Sequence, residues 1–414
     1  MYIYPCAYNV SLQTDTTMGK LNIFAITLNN PQGVYYPGQF LEGHVTVELN
    51  EGMKMRGIRL QFYGGAIVRW SERHSTGSGK HRRTVTRYYS AHETYFNHEL
   101  VLFGKASGQG GDNPTLSSGS YTYPFRYQLP NELPSSFEGS VGRIRYWLNG
   151  TIDKPWKFDH TTKRAFTVVN LLDLNTEPGA AEGSRGQNEK NLCCLCCKSG
   201  PISCTFQIDR CGYVPGESIP IKAEIINHSN RRMARSYAEL YMVGFYRATT
   251  KTRTVFQKIG EISHGEILPG DSDTWNGDLL PIPPVPPSKL HGCRIIVIEY
   301  YVKFCVSPAG PAFQLEVPLR LIIGSIPLRT TMQQYGFAPP LQGPSQSQLY
   351  QGGAHASAPP VTSMPPPSFS ESAFGTVNIK DDDDTEYTKG DMNYAPVYAY
   401  YNWGQTAQPS APPQ

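Results

Sequence analysis

The sequence predicts an all-β protein: two β-sandwiches in tandem, followed by a disordered C-terminal tail. Three observations carry that expectation. First, one turn signature occurs twice, as Tyr35-Tyr36-Pro37-Gly38 and, 178 positions on from Pro37 to Pro215, as Tyr213-Val214-Pro215-Gly216. Proline presets φ at one turn position and glycine accepts a positive φ at the next, so each copy marks a tight turn. An alternating run leaves each turn, with Leu41, Val45 and Val47 on one parity in the first copy and Ile219, Ala223 and Ile225 in the second. That is the pattern of a half-buried strand. Second, similar runs recur about every ten residues with turn signals between them, as in a sandwich. Third, charged residues are only 17%, against 26 Tyr, 39 Gly and 34 Pro, a balance that favours sheets and turns over helical bundles. At 414 residues the chain exceeds one ordinary core, and a repeat at that distance fits two domains of one plan.

Residues 1–18 read as a flexible extension. The first sandwich is expected over 19–175. It opens with Leu21 to Ile26 and continues through Val45 to Leu49 and Ile58 to Trp70. A polar, glycine-containing tip from His74 to Arg83 leads into runs at Thr84 to Tyr89 and Glu93 to Phe103. Gly104 to Ser120 is a Gly/Ser-rich surface loop. Tyr121 to Leu129, Arg143 to Ile152 and Phe166 to Leu171 complete the unit. Residues 176–198 are expected to be a linker carrying the cysteine cluster, polar and glycine-containing from Thr176 to Lys190. The second sandwich is expected over 199–326, through Pro220 to Ile226, Tyr237 to Val243, Thr254 to Phe256, Arg294 to Phe304 and Leu315 to Ile323. Within it, Pro281 to Pro287 cannot join the middle of a sheet, because its prolines lack N–H donors; it reads as an extended strap. From 327 to 414 strand patterning stops. Of these 88 residues 28 are Pro, Gly or Ser, and 7 acidic against 3 basic residues give the tail −4 and the rest +7.

The total charge of +3 is too small to argue for nucleic acid. No basic segment followed by an apolar core opens the chain and no run of about 18 apolar residues occurs, so neither signal peptide nor membrane span is expected. Nine cysteines, four of them at Cys193, Cys194, Cys196 and Cys197, do not resemble a secreted disulfide framework. A reducing, cytoplasmic setting follows. Three readings of that cluster stand side by side: zinc ligands, palmitoylation sites of a peripheral protein, or a buried strand edge. Zinc is disfavoured because four sulfurs within five residues do not converge easily on one tetrahedron. The basic hairpin tip, including Lys80, Arg82 and Arg83, is either a solvated loop or a contact for acidic lipid or a phosphorylated cargo tail. No nucleophile elbow, His-Glu-x-x-His or phosphate-cradling glycine loop appears, so no enzyme and no cofactor is expected.

Several stretches resemble the arrestin-domain-containing, or α-arrestin, family. They are the two Pro-Gly turns, Gly142 to Trp147 running on to Ile152 to Lys157, Lys163 to Val168 with Asp173 to Asn175, and Leu192 to Ser203. The Tyr95 to His98 strand and the Ile282 to Pro287 strap fit too. The resemblance covers Gly19 to Ile326. It implies two immunoglobulin-like sandwiches hinged at a linker, in a non-catalytic adaptor that joins cytosolic tails of membrane receptors or transporters to ubiquitin ligases at plasma membrane and endosomes. In that family, tail PPxY motifs dock as polyproline II segments on WW domains of HECT-type ubiquitin ligases. Here both copies are degenerate. Pro366-Pro367-Ser368-Phe369 has Phe for Tyr, and Ala395-Pro396-Val397-Tyr398 lacks one proline. Pro409-Ser410-Ala411-Pro412 resembles the motif bound by the ESCRT-I complex, and is also what a low-complexity tail supplies. The alternative within the same fold is a retromer-type scaffold that sorts endosomal cargo without recruiting a ligase.

Overall fold

The computed structural model describes residues 20–77, 82–191, 200–311, 313–335, 368–381 and 384–403. The first sandwich comprises β1 (Leu21–Leu28), β2 (Val34–Tyr35), β3 (Phe40–Leu49), β4 (Met53–Lys54), β5 (Gly57–Thr76), β6 (Arg83–Gly104), β7 (Thr115–Leu116), β8 (Gly119–Gln128), β9 (Phe137–Glu138), β10 (Gly142–Asp153) and β11 (His160–Val168). One sheet runs β1-β3-β8 and the other β2-β11-β10-β5-β6. Leu41, Val45, Val47, Phe62, Tyr146 and Phe166 fill the space between them. The predicted alternation sets the register: Phe24 faces Val47 across β1 and β3, and Tyr146 faces Gly64 across β10 and β5.

The second sandwich comprises β12 (Ser184–Asn191), β13 (Pro201–Ile208), β14 (Gly212–Tyr213), β15 (Ser218–Asn227), β16 (Met233–Arg247), β17 (Thr252–Ser263), β18 (Ser272–Pro281), β19 (Ile296–Pro308) and β20 (Leu315–Ile323). Its sheets run β12-β13-β15-β18 and β14-β20-β19-β16-β17. β12 lies inside the stretch expected to be linker. Its Ser-Arg-Gly-Gln-Asn-Glu-Lys-Asn sequence has no apolar alternation, and it is held as an edge strand by backbone pairing with β13.

The repeat extends beyond the turns to individual hydrogen bonds. The tyrosine before each Pro-Gly sits on a two-residue strand that pairs parallel to the last strand of its sandwich, Tyr35 on Val168 and Tyr213 on Ile323. Gly38 and Gly216 take φ of 81° and 96°. A buried tyrosine donates its hydroxyl to a proline carbonyl at 2.7 Å in both, Tyr146 to Pro134 and Tyr300 to Pro286. Two residues beyond each proline, a serine hydroxyl accepts from the last strand: Val168 N–H to Ser136 at 3.0 Å and Ile323 N–H to Ser288 at 2.9 Å. The Pro281 to Pro287 strap therefore has a counterpart, Leu133 to Ser136, that the sequence hides because it holds a single proline.

A short helix, α1 (Arg329–Gln334), follows the second sandwich. Parts of the region expected to be a disordered tail are folded onto the sandwiches. β21 (Ser368–Glu371) pairs with β25 (Val397–Tyr400), β22 (Val377–Asn378) with β24 (Asn393–Tyr394), and β23 (Thr388–Asp391) with β11. Pieces of two to four residues are too short to show a period, and their partners lie more than 200 positions away in the case of β23. Three tyrosines anchor them. Tyr394 bonds with the Thr167 hydroxyl at 3.2 Å, while Tyr398 donates to the Ser136 carbonyl at 3.1 Å and Tyr401 to the Ser325 carbonyl at 2.7 Å. Tyr401 N–H also donates to the Pro215 carbonyl at 3.0 Å. The segment thus touches both sandwiches. Further links between them are Lys251 to Glu72 at 2.6 Å and Arg294 to Glu93 at 2.9 Å.

Candidate peptide-binding site

Strand alternation builds the site. On β10, Ile144, Tyr146 and Leu148 enter the core, so Arg143, Arg145, Trp147 and Asn149 face the other way. On β5 the outward set includes Tyr63 and Arg69, and β11 adds Lys163. Together they line an open trough of about 1490 Å³. Its floor is aromatic: Tyr63 and Trp147 stack with centroids 4.7 Å apart, and Lys163 Nζ sits 5.3 Å from the Trp147 ring centroid.

The tail lies in this trough. Arg143 Nη2 donates to Asp381 Oδ1 at 2.7 Å. The Lys163 ammonium, only 4% exposed, donates to Asp381 Oδ2 at 3.2 Å and Asp384 Oδ2 at 2.6 Å. A buried ammonium is costly without such partners. β23 then continues along the free edge of β11 in parallel register, Thr161 opposite Thr388 through Arg164 opposite Asp391, and Arg164 Nη1 reaches Asp391 Oδ2 at 2.8 Å. The strands approach so closely that a Cβ on Gly390 would collide with the Lys163 backbone.

Not all of the trough's hydrogen-bonding capacity is used. Arg145 spends Nε and Nη2 on Glu138, at 2.5 and 3.0 Å. Its buried Nη1 has no hydrogen-bond partner among the described residues and lies 4.0 Å from Asp381 Oδ1. Burial raises the Glu138 carboxyl pKa, and Arg145 opposes that rise. Asn149 Oδ1 is likewise buried without a partner among the described residues. Guanidinium and ammonium groups, an aromatic floor and the β11 edge on which β23 pairs suit an extended acidic peptide. Among the described residues no group of three or more His, Cys, Asp or Glu converges as a metal site.

The sequence-derived candidates fall elsewhere. Pro366, Pro367, Pro409 to Pro412, Cys193 to Cys197 and Lys80 lie outside the described residues. Arg82 and Arg83 are exposed at the end of the long β5–β6 hairpin, Arg82 Nε donating to Ser75 Oγ at 2.5 Å. Phe369 and Tyr398 meet in one ribbon, Phe369 opposite Ala399 and Ser370 opposite Tyr398. Pro396 is buried, and Tyr398 is 2% exposed with its hydroxyl committed to Ser136. In this arrangement that phenol cannot enter another protein's groove. A signal for the trough was present in the sequence, as Arg-Ile-Arg-Tyr-Trp-Leu-Asn puts Arg, Arg, Trp and Asn on one parity; the occupant was not visible.

Comparison with known proteins bears on this architecture. The family description "Arrestin (or S-antigen), N-terminal domain" matches residues 24–175, and its C-terminal counterpart matches 198–328. The chain belongs to the arrestin-domain family. It is 33% identical to arrestin domain-containing protein 17 of Caenorhabditis elegans, over 75% of this chain and 72% of that one. It is 36% identical to arrestin domain-containing protein 4 of Mus musculus, over 72% and 70%. Human thioredoxin-interacting protein is 30% identical over 74% and 75%. The family is one of adaptors, and the two sandwiches agree with the resemblance read from the sequence. No helix among the described residues is long and apolar enough to cross a membrane.

Proposed function

We propose that this arrestin-family adaptor captures an acidic segment from the cytosolic tail of a membrane receptor or transporter in the trough of its first sandwich. The observation that carries the reading is the occupant already there. Asp381, Asp384 and strand β23 satisfy Arg143, Lys163 and the β11 edge as a cargo peptide would. An intramolecular ligand of this kind sets the price of entry, since an incoming peptide must bind better than the tail does at its own high effective concentration. Arg82 and Arg83 on the hairpin give cargo a second basic contact.

The tail supplies the other half of the adaptor. Pro366, Pro367 and Phe369, with Pro396 and Tyr398, are weak ligands for WW domains of HECT-type ubiquitin ligases. Pro409 to Pro412 is a ligand for ESCRT-I, and Cys193, Cys194, Cys196 and Cys197 are acylation sites at plasma membrane and endosomes. Such links promote ubiquitination, endocytosis and degradation of the cargo. Tyr398 is available to a WW groove only after β25 leaves Ser136.

Fluorescence anisotropy tests the trough, with a labelled peptide copying residues 380–391 and a control in which every Asp is Asn. The full-length chain is expected to bind the acidic peptide, and Arg143→Gln with Lys163→Gln to lose it. Equal binding of both peptides, or no loss in the double variant, contradicts the reading. Pulldown on WW domains with Pro367→Ala, Pro396→Ala and Tyr398→Ala combined tests the ligase link; unchanged capture removes these residues from it.

A further inference from the structure

We propose that the turn joining β10 to β11 is a membrane anchor: Trp156 and Phe158 enter the interface of an anionic lipid surface while Lys154 and Lys157 rest on its headgroups. The proposal goes beyond the adaptor reading, and it concerns a turn whose Trp156, Lys157 and Phe158 also line the trough.

Trp156 is 97% exposed and Phe158 67%, the first and third positions of a Trp-Lys-Phe run in the turn after β10, where both also line the trough. Isolated exposed apolar residues are ordinary on a protein surface. This pair is distinguished by its backbone. Trp156 holds φ at 61°, one of three residues other than glycine with positive φ among those described. That conformation is costly for a residue bearing a Cβ, and it persists only where the surroundings impose it. Pro155 precedes it, and the Lys154 N–H donates to Asp159 Oδ1 at 2.9 Å to close the turn. The backbone at Trp156 is thus held in a strained conformation while the indole stays exposed. Phe158 is braced from one side by Tyr387, whose ring stacks on it at 5.5 Å.

The charges select the partner. Lys154, Lys157 and Lys389 crowd the turn, while the carboxylates of this stretch are already engaged, Asp153 by Arg56 and Arg59 and Asp159 by the Lys154 amide. The crowding shows in the titration of the neighbours. Burial and then Lys157 lower the Lys154 pKa, while burial, Lys154 and Lys389 push His160 down to about 4. Neutral His160 places Nε2 within 2.8 Å of the Lys154 ammonium. An indole beside ammonium groups in an exposed turn is the chemistry of a membrane–water interface, where tryptophan concentrates and lysine meets acidic headgroups. A globular protein partner would instead require a matching pocket for a rigid wedge.

The position is consistent with a single contact. Asp153 pairs with Gly57 at one end of β5, and Thr76 pairs with Arg83 at the other. A strand of 20 residues spans roughly 60 Å at about 3.3 Å per residue. The basic hairpin tip therefore lies far from Trp156, leaving it for cargo while the turn holds the lipid.

Vesicle flotation of the full-length chain tests this, with phosphatidylcholine alone and with phosphatidylserine added. The wild type is expected to float only with the acidic lipid, and indole fluorescence to be quenched by brominated acyl chains. Trp156→Ala should reduce vesicle affinity by about fivefold or more, and Lys157→Glu by a similar factor. Trp156→Gly relieves the strained φ, so it should melt no lower than wild type yet fail to float, which separates anchoring from folding. The proposal is overturned if wild type does not float, if flotation ignores phosphatidylserine, or if Trp156→Ala floats like wild type. Loss of peptide binding or of a protein partner in Trp156→Ala without loss of flotation overturns it as well.

Discussion

Replacing Asp384 by Asn keeps the shape of the tail's acidic turn and removes one charge from the Lys163 pair. In the structure one oxygen, Asp384 Oδ2, accepts both the Lys163 ammonium at 2.6 Å and the Asp381 N–H at 2.8 Å. Removing one partner of a buried pair costs about 3–5 kcal/mol when the remaining charge is stranded. Lys163 is not fully stranded, because Asp381 Oδ2 stays 3.2 Å away. The loss of one charge-assisted hydrogen bond, about 2 kcal/mol, is the better figure. At about 1.4 kcal/mol per factor of ten, the tail should detach about thirtyfold more often. Detachment is a local opening, so it should appear in hydrogen exchange rather than in the melting temperature. Amides of β23 should exchange about thirtyfold faster, and those of β10 should not change. In a Lys163→Met background the same Asp384→Asn change should have little effect, since the charge that needed it is gone. Unchanged β23 exchange in the single variant, or an equal acceleration in the Lys163→Met background, would refute the pairing as the source of docking.

Three other outcomes follow from the same contacts. Tyr146→Phe and Tyr300→Phe each leave a buried proline carbonyl without its donor and should each cost about 1–2 kcal/mol in denaturant unfolding, the equal penalty expected of equivalent positions in the repeat. Gly216→Ala forces a side chain onto a φ of 96° and into the Tyr401 carbonyl, so it should lower stability by about 1–2 kcal/mol and shift Trp403 emission as the end of the tail lifts. His160 binds a proton near pH 6.5 in the unfolded chain but only near 4 in the fold. The unfolded state therefore holds more protons between those values, and stability should fall as pH drops from about 6.5 to about 4. His160→Gln should flatten that window in chemical denaturation.

Local chemistry explains which parts of this molecule could be read in advance. A Pro-Gly turn and a period of two act over a few residues, so both sandwiches and the placement of Arg143, Arg145 and Trp147 on one face were legible. β12 was not, because an edge strand needs only backbone partners and its polar side chains leave no period. The Leu133 to Ser136 strap escaped for a related reason: a serine hydroxyl and a distant tyrosine hold it, and neither is a local signal. Tyr398 shows the limit most clearly. In sequence it is a fragment of a ligand motif, whereas in the fold it is a core residue of the junction, held by a carbonyl 262 positions earlier. The trough residues could be placed on a face, but that face is completed by Asp381 and Asp384, whose approach no pattern near Lys163 announces.

On the proposed reading the tail acts as a substitute ligand, and the affinity of the full-length chain for the 380–391 peptide tests that most directly. Neutralising Asp381→Asn and Asp384→Asn together should strengthen peptide binding by a factor of about ten or more, because the competitor is weakened while the trough is intact. Unchanged or weaker binding in that variant would mean that the peptide and the tail do not share a site.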